Sequence, residues 1–336
     1  MKKALIIGIT GQDAYYLSKL LISKNYKVYG VIRGQNNPKL PLIEKELPEV
    51  ELIEGDLLDE TSLTRALSKA EPEEVYNLGA ITFVKYSFDN PVLTGNVTGL
   101  GVVRLLELIR TINPKIKYFQ PSSAEMYGNA IETPQSETTL FNPQSPYAIA
   151  KVFAYQTTKF YREAFGIFAC NGILFNHESP RRGLEFVTRK ISNGVARIAL
   201  GKQKVLILGN IEAKRDWGFA KDYVEAMFLM MQHPNPDDYV IATNEAHSVK
   251  EFLDLAFKFV GIKKWSKYVI ANDPRYIRPL DVPCLIGNNV KARKKLGWTS
   301  KTTFKQLVEI IVKNDLEIEK DSVALSQECK NSSKLI

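Results

Sequence analysis

At 336 residues with a formal charge of +8 at pH 7, the chain is too long for one small core and suits one large or two interlocked domains. Its Lys and Arg are scattered, with dense spots only at 263–267 and 291–295, and no nucleic-acid signature accompanies them, so the charge fits an anionic metabolite rather than DNA or RNA. Cys170, Cys284 and Cys329, odd in number and widely spaced, argue against a disulfide framework, His177, His233 and His247 have no zinc spacing with them, and no apolar run reaches membrane length; these features predict a cytoplasmic protein with no metal and no membrane or nucleic-acid partner.

Residues 2–8 form a continuous apolar run of the kind buried on both faces of a parallel sheet. Gly8-Ile9-Thr10-Gly11-Gln12-Asp13-Ala14 follows, opening an amphipathic helix that carries Leu17, Leu20, Leu21 and Ile22. Glycines at 8 and 11 let backbone N–H groups come close to a pyrophosphate at the helix N-terminus. A second strand over 27–32 ends at Arg33-Gly34-Gln35-Asn36. An acid there would hold the ribose 2′-hydroxyl of NAD, whereas Arg33 suits the 2′-phosphate of NADP. A third strand over 50–54 leads to Asp56 and Leu57, with Asp56 also a candidate cap for a helix opening near Asp59. The fourth, 74–78, runs into Leu78-Gly79-Ala80, small enough to let a cofactor pass over the sheet end. Residues 94–110 read as one long core helix, and 115–121 as the fifth strand.

The stretch from Gln120 to Lys151 carries the chemistry. Ser123 and Glu125 emerge at the carboxyl end of the fifth strand, where open α/β sheets bind ligands. Ser145-Pro146 then opens a helix over 146–165, which places Tyr147 and Lys151 four residues apart on one face. Taken alone, Tyr-x-x-x-Lys is most often a surface pair; behind a Ser-x-Glu strand end it becomes a candidate base whose phenol an ammonium would lower. The sixth strand is 168–174, and helices follow over 219–232, 250–261 and 303–315, with a polar, frayed tail from Glu319. Strands alternating with helices predict a Rossmann-type, doubly wound parallel α/β sheet. Its cofactor-binding domain is 1–174; a smaller α/β substrate domain, 175–318, is interlaced with it, and 319–336 is the tail.

The Gly-rich start, the Ser-x-Glu strand end and the Tyr-x-x-x-Lys helix together resemble the extended short-chain dehydrogenase/reductase family. Within it, Ser123-Ala124-Glu125 with Tyr147 and Lys151 looks like a nucleotide-sugar 4,6-dehydratase. Asn176-His177-Glu178-Ser179-Pro180-Arg181-Arg182-Gly183 and Phe186-Val187-Thr188-Arg189-Lys190 are similar to the GDP-mannose 4,6-dehydratases, from about residue 3 to about residue 315. The resemblance assigns Gly8, Ile9, Thr10, Gly11, Gln12 and Asp13, the Arg33–Asn36 turn, Asp56, Leu57, Leu78, Gly79 and Ala80 to the cofactor, joined by Tyr147, Lys151, His177 and Arg182. It directs Asn176, Lys190, Arg215, Arg278 and Asp281 toward a GDP-sugar. Where the family has Thr, this chain has Ser123; where it has Glu after Arg-Pro, this chain has Asp281.

That likeness implies an internal redox cycle: Tyr147 takes the C4 hydroxyl proton, Lys151 holds the phenolate, Ser123 bonds the developing ketone, and Glu125 removes the C5 proton and helps the C6 hydroxyl leave. Dimers or tetramers built through helices 94–110 and 146–165 are also implied. A heptose or other manno-configured GDP-sugar, an epimerase or reductase of the same superfamily, and a sensor that kept the fold remain as alternatives.

Overall fold

The computed structural model describes residues 1–34, 36–276, 280, 282 and 284–332, with side chains up to residue 321. Arg278 and Asp281 lie outside the described residues. In the first lobe the chain runs β1 (Lys3–Ile7), α1 (Gln12–Ser23), β2 (Lys27–Ile32), α2 (Leu40–Glu46), β3 (Glu51–Glu54), α3 (Glu60–Ala70) and β4 (Glu74–Asn77). It continues through α4 (Val84–Asp89), α5 (Pro91–Thr94), a π-helical turn (Gly95–Leu100), α6 (Gly101–Ile112), β5 (Lys117–Ser123), α7 (Pro146–Phe165) and β6 (Ala169–Leu174), and the short β7 (Asn176–Glu178) opens the second lobe. β1 is apolar and almost wholly buried because helices cover both faces of the sheet.

Beyond β7 come α8 (Val187–Ala199), β8 (Leu206–Ile207), β9 (Lys214–Arg215), β10 (Trp217–Phe219), α9 (Ala220–Gln232), β11 (Asp238–Ile241), β12 (His247–Ser248) and α10 (Val249–Phe259). β13 (Val269–Ile270), β14 (Cys284–Leu285), α11 (Val290–Leu296) and α12 (Phe304–Ser332) complete it. The large sheet has the order β11-β6-β5-β4-β1-β2-β3, and every pairing in it is parallel. Its seventh strand thus comes from far beyond residue 175. The second lobe packs Ile191, Val195, Phe252, Phe257, Leu307 and Ile311 from α8, α10 and α12 into a separate core.

Three local readings are corrected. The expected helix over 94–110 is interrupted by the π turn, where Gly95, Gly99 and Gly101 loosen the α-helix and Gly99 lies so close to Phe153 that a Cβ would come within 3.3 Å of it. Thr98 there receives the Ile81 N–H at 3.1 Å. Asp56 accepts from Leu58 N–H, while Asp59 is the cap of α3, accepting from Thr61 N–H. At the other end α12 continues through Glu319, expected to begin a frayed tail, because Glu319 accepts from Lys202 and pairs with Arg197. By length and composition the continuous run Pro91–Ile112 would suffice to cross a membrane, yet half of its apolar window is buried within this fold.

Candidate active site

The site lies at the carboxyl ends of β1, β4, β5 and β6, where the sheet order reverses about β1. A cleft of about 950 Å³ opens there, near the upper end of the ~300–1,000 Å³ usual for small-molecule sites. Asp13, Ser123, Glu125, Tyr147, Lys151 and Asn176 line it, with His177, Arg182, Lys190 and Arg215 on the side of the second lobe.

Ser123 is the last residue of β5, two residues later than the strand was expected to end, because the pairing with β6 continues through Ser122 opposite Ile173 and Ser123 opposite Leu174. Its hydroxyl accepts the Glu125 N–H at 3.2 Å, which turns the chain and sends Glu125 into the cleft. α7, which carries Tyr147 and Lys151, is fixed at its start by Ser145, whose hydroxyl accepts the Ala148 N–H at 3.1 Å, with Pro146 in the first turn; such caps contribute about 1 kcal/mol. It stops at Gly166, which adopts φ +66.

Tyr147 and Lys151 are both buried. The Lys151 ammonium donates to the Pro121 carbonyl at 2.6 Å and lies 5.8 Å from the Tyr147 ring centroid. Burial pushes the Tyr147 phenol up to about 12, against a hydrogen bond with Ser123 that works the other way, and the Glu125 carboxylate adds to the rise. The expectation of a phenol lowered by Lys151 is therefore overturned in this structure. Desolvation dominates both groups, and it lowers Lys151 itself to about 8.

The residues at the sheet end fit a nicotinamide dinucleotide. Gly8 takes φ +80, and a Cβ on it would stand 2.8 Å from Gly79 Cα, so the turn after β1 approaches the turn after β4 this closely because residue 8 is glycine. A Cβ on Gly11 would come within 3.3 Å of the Gly8 carbonyl. As N-cap of α1, Gly11 supplies no side-chain acceptor, leaving first-turn N–H groups of a 12-residue helix for an anion. Arg33 is exposed just past β2 with no acid beside it in sequence. Leu57 packs under Gly79 and Gly101, and the Arg104 guanidinium holds its carbonyl at 3.1 Å.

From the second lobe, Lys190 rests 3.3 Å from the Tyr276 ring centroid, and Arg215 is buried, donating to the Val282 carbonyl at 2.7 Å. Arg182 stacks 3.6 Å from the centroid of Phe186 and pairs with Glu178 at 3.2 Å. Glu178 also receives the Thr188 hydroxyl at 2.6 Å. Sequence reasoning missed Phe83, Lys85, Glu178, Phe186 and Tyr276 as lining residues. Glu178 and Phe186 fall inside the two stretches that carry the family resemblance; Lys85, which donates to the Arg275 carbonyl at 2.9 Å across the cleft mouth, carried no signal of its own.

A family model described as GDP-mannose 4,6 dehydratase matches residues 5–311. Among curated proteins, the chain is 49% identical over 342 residues to the GDP-mannose 4,6 dehydratase of Dictyostelium discoideum, covering 94% of this chain and 96% of that one. It is 50% identical over 337 residues to GDP-mannose 4,6 dehydratase 1 of Arabidopsis thaliana, covering 97% and 92%, and 45% identical over 341 residues to the human enzyme of that name, covering 94% and 91%. Solved structures share the fold: a UDP-glucose 4-epimerase from Thermotoga maritima at TM-score 0.81 and 24% identity, covering 93% of this chain and 97% of that one. A dTDP-glucose 4,6-dehydratase from Bacillus anthracis, in complex with NAD, gives TM-score 0.81 and 20% identity, covering 95% and 98%. With its family model matched along nearly the whole length and relatives near half identity on both sides, this chain belongs to the GDP-mannose 4,6-dehydratase family.

Proposed function

We propose that this site converts GDP-D-mannose to GDP-4-keto-6-deoxy-D-mannose, using NADP and the residues Ser123, Glu125, Tyr147 and Lys151. The observation that carries the assignment of roles is the convergence of a hydroxyl, a carboxylate and a phenol on one cleft at the sheet end, with a buried ammonium behind the phenol. Held by the turn from Gly8 to Asp13, a nicotinamide dinucleotide would supply acceptance of hydride from C4 and its return to C6. Tyr147 acts as phenolate, the form that the nearby Lys151 charge favours, and becomes the phenol as it accepts the C4 hydroxyl proton. Ser123 donates to the oxygen that becomes the ketone. That ketone acidifies the C5 hydrogen; Glu125 removes it and passes it to the C6 hydroxyl, which leaves as water, and C5 regains a proton at the net expense of the one Tyr147 took, so the base and the redox state are both restored.

Arg33 after β2, with no acid beside it, supports NADP over NAD. Gly8 through Asp13, Asn36, Asp56, Leu57, Leu78 and Ala80 extend the same cofactor track. Lys190 and Arg215 offer the charge for a diphosphate, which guanidinium grips with two parallel bonds. Domain roles follow the same division, with residues before 175 serving the cofactor and those after it serving mainly the sugar nucleotide. Exposed Leu100, Ile149, Phe153, Phe160 and Phe165 on the π turn and α7 support a dimer or tetramer built on that face, which sedimentation would reveal.

Incubation with GDP-mannose and no added cofactor, followed by mass spectrometry, is expected to show loss of one water. Glu125→Gln is expected to keep nucleotide binding and to abolish solvent deuterium uptake at C5. Dehydration retained in that variant removes Glu125 from its role.

A further inference from the structure

His177 on β7 has both ring nitrogens engaged: Nδ1 lies 2.8 Å from the Phe175 carbonyl oxygen, and Nε2 lies 2.9 Å from Asp13 Oδ2. A carbonyl and a carboxylate only accept, and a neutral imidazole has a single N–H to give. Both contacts are satisfied only if the ring is an imidazolium or Asp13 is protonated. Asp13 receives the Gln12 side-chain amide on its other oxygen at 3.2 Å and sits in the first turn of α1, where the helix dipole favours an anion. Those contacts put the proton on the ring.

The surroundings agree. The Tyr223 ring from α9 stacks on His177 at 4.8 Å with a 20° tilt, a face that welcomes a cation. Arg182, from the same segment as His177, opposes the charge but is itself paired with Glu178. Burial alone would push His177 down, yet the Asp13 carboxylate outweighs it and holds the ring above its ordinary value; burial alone would push Asp13 up, and the His177 charge outweighs that. Asp13 in turn acts on α7, where its charge works to raise both Tyr147 and Lys151.

We propose that His177 is a positioning residue that stands as an imidazolium at neutral pH and clamps the second lobe to the first turn of α1. The clamp has a second strand beside the ion pair. Gln12 Nε2 donates to the His177 carbonyl at 2.9 Å and Gln12 Oε1 accepts from Ser179 Oγ at 2.7 Å. Two consecutive residues of the glycine turn thereby hold residues 177–179.

The test is nitrogen-15 NMR of histidine-labelled full-length protein, with the three histidines assigned by difference against His177→Gln. Both ring nitrogens of His177 are expected at imidazolium shifts at pH 7.5, and Asp13→Asn is expected to lower its titration midpoint by about one unit or more. One protonated and one bare nitrogen at pH 7.5, or a midpoint unmoved by Asp13→Asn, overturns the charge state. Neither reading needs turnover, so the proposal stands or falls apart from the dehydratase assignment.

Discussion

Lys151 in the catalytic corner and Arg189 in the seam between α8 and α12 are both cations more than nine-tenths buried, and the molecule treats them in opposite ways. Arg189 clasps Asp315 with two nitrogens, at 2.6 and 3.1 Å, and Ser192 adds a third bond to the same carboxylate. It also donates to the carbonyls of Pro180 and Arg182, so the turn that carries Arg182 toward the cleft hangs from it. Lys151 has no carboxylate at ion-pair distance among the described residues; its ammonium meets the Pro121 carbonyl oxygen and the Tyr147 ring. Burial of a paired charge is tolerable, whereas burial of a bare one lowers its own proton affinity and costs folding energy. The seam is built for stability and the corner is built against it, which is what a site that must hold an unneutralised charge near a reacting phenol requires.

The sharpest way to break this contrast is to remove each cation by a substitution of similar length. Lys151→Met is expected to lower turnover of GDP-mannose by roughly 10²- to 10⁴-fold, the range typical of lost acid–base assistance, without lowering the melting temperature, since the desolvation penalty leaves with the charge. Tyr147→Phe is the matched control, with a similar loss and an intact core. Arg189→Met is expected to do the reverse. It strands Asp315 in an apolar seam and should destabilise the fold by about 3–5 kcal/mol in chemical denaturation, while the folded fraction loses less activity than Lys151→Met does. Equal stability losses in the two variants would mean that Lys151 is held by more than a carbonyl.

The same contrast explains what could be read from the residues alone. β2 over 27–32 and the helix over 146–165 were legible at both ends, because continuous apolar spacing, Pro146 and Gly166 are local signals. That Ser123, Glu125, Tyr147 and Lys151 line one cleft was legible for the same reason: they occupy one short span of chain. The strand Asp238–Ile241 was not, since four residues gain their meaning only by pairing with β6 far upstream. The Arg189–Asp315 clasp joins residues 126 positions apart with no periodicity to announce it. The direction of the Tyr147 phenol was misread because an i, i+4 spacing gives proximity and says nothing of how much water surrounds the pair.

A pH series sharpens the comparison further. Lys151 is lowered in the fold from 10.5 to about 8, so below pH 8 it is charged in both folded and unfolded chains and its full penalty applies. Between about 8 and 10.5 the unfolded chain binds more protons than the folded one, and stability contributed by this group must rise with pH across that window. The fully relieved penalty is on the order of 3 kcal/mol. Lys151→Met lacks this term, so the difference in stability between wild type and variant is expected to shrink from pH 8 to pH 10 in urea titrations. A difference constant over that range would mean that Lys151 keeps an ordinary affinity for its proton despite being buried.

The smallest expected effect concerns Ser123, where the resemblance calls for threonine. A serine side chain has three staggered positions about χ1, whereas a β-branched side chain is held more tightly. Here, however, the hydroxyl is already tied to the Glu125 N–H at 3.2 Å and to the Tyr147 phenol. Two directional bonds leave little freedom for a methyl group to remove. Ser123→Thr is therefore expected to raise kcat no more than about two- to threefold, below about 0.7 kcal/mol, with KM for GDP-mannose unchanged. A tenfold gain would show that the two bonds fail to fix the hydroxyl, and that the corner spends part of each cycle with Ser123 turned away from the sugar.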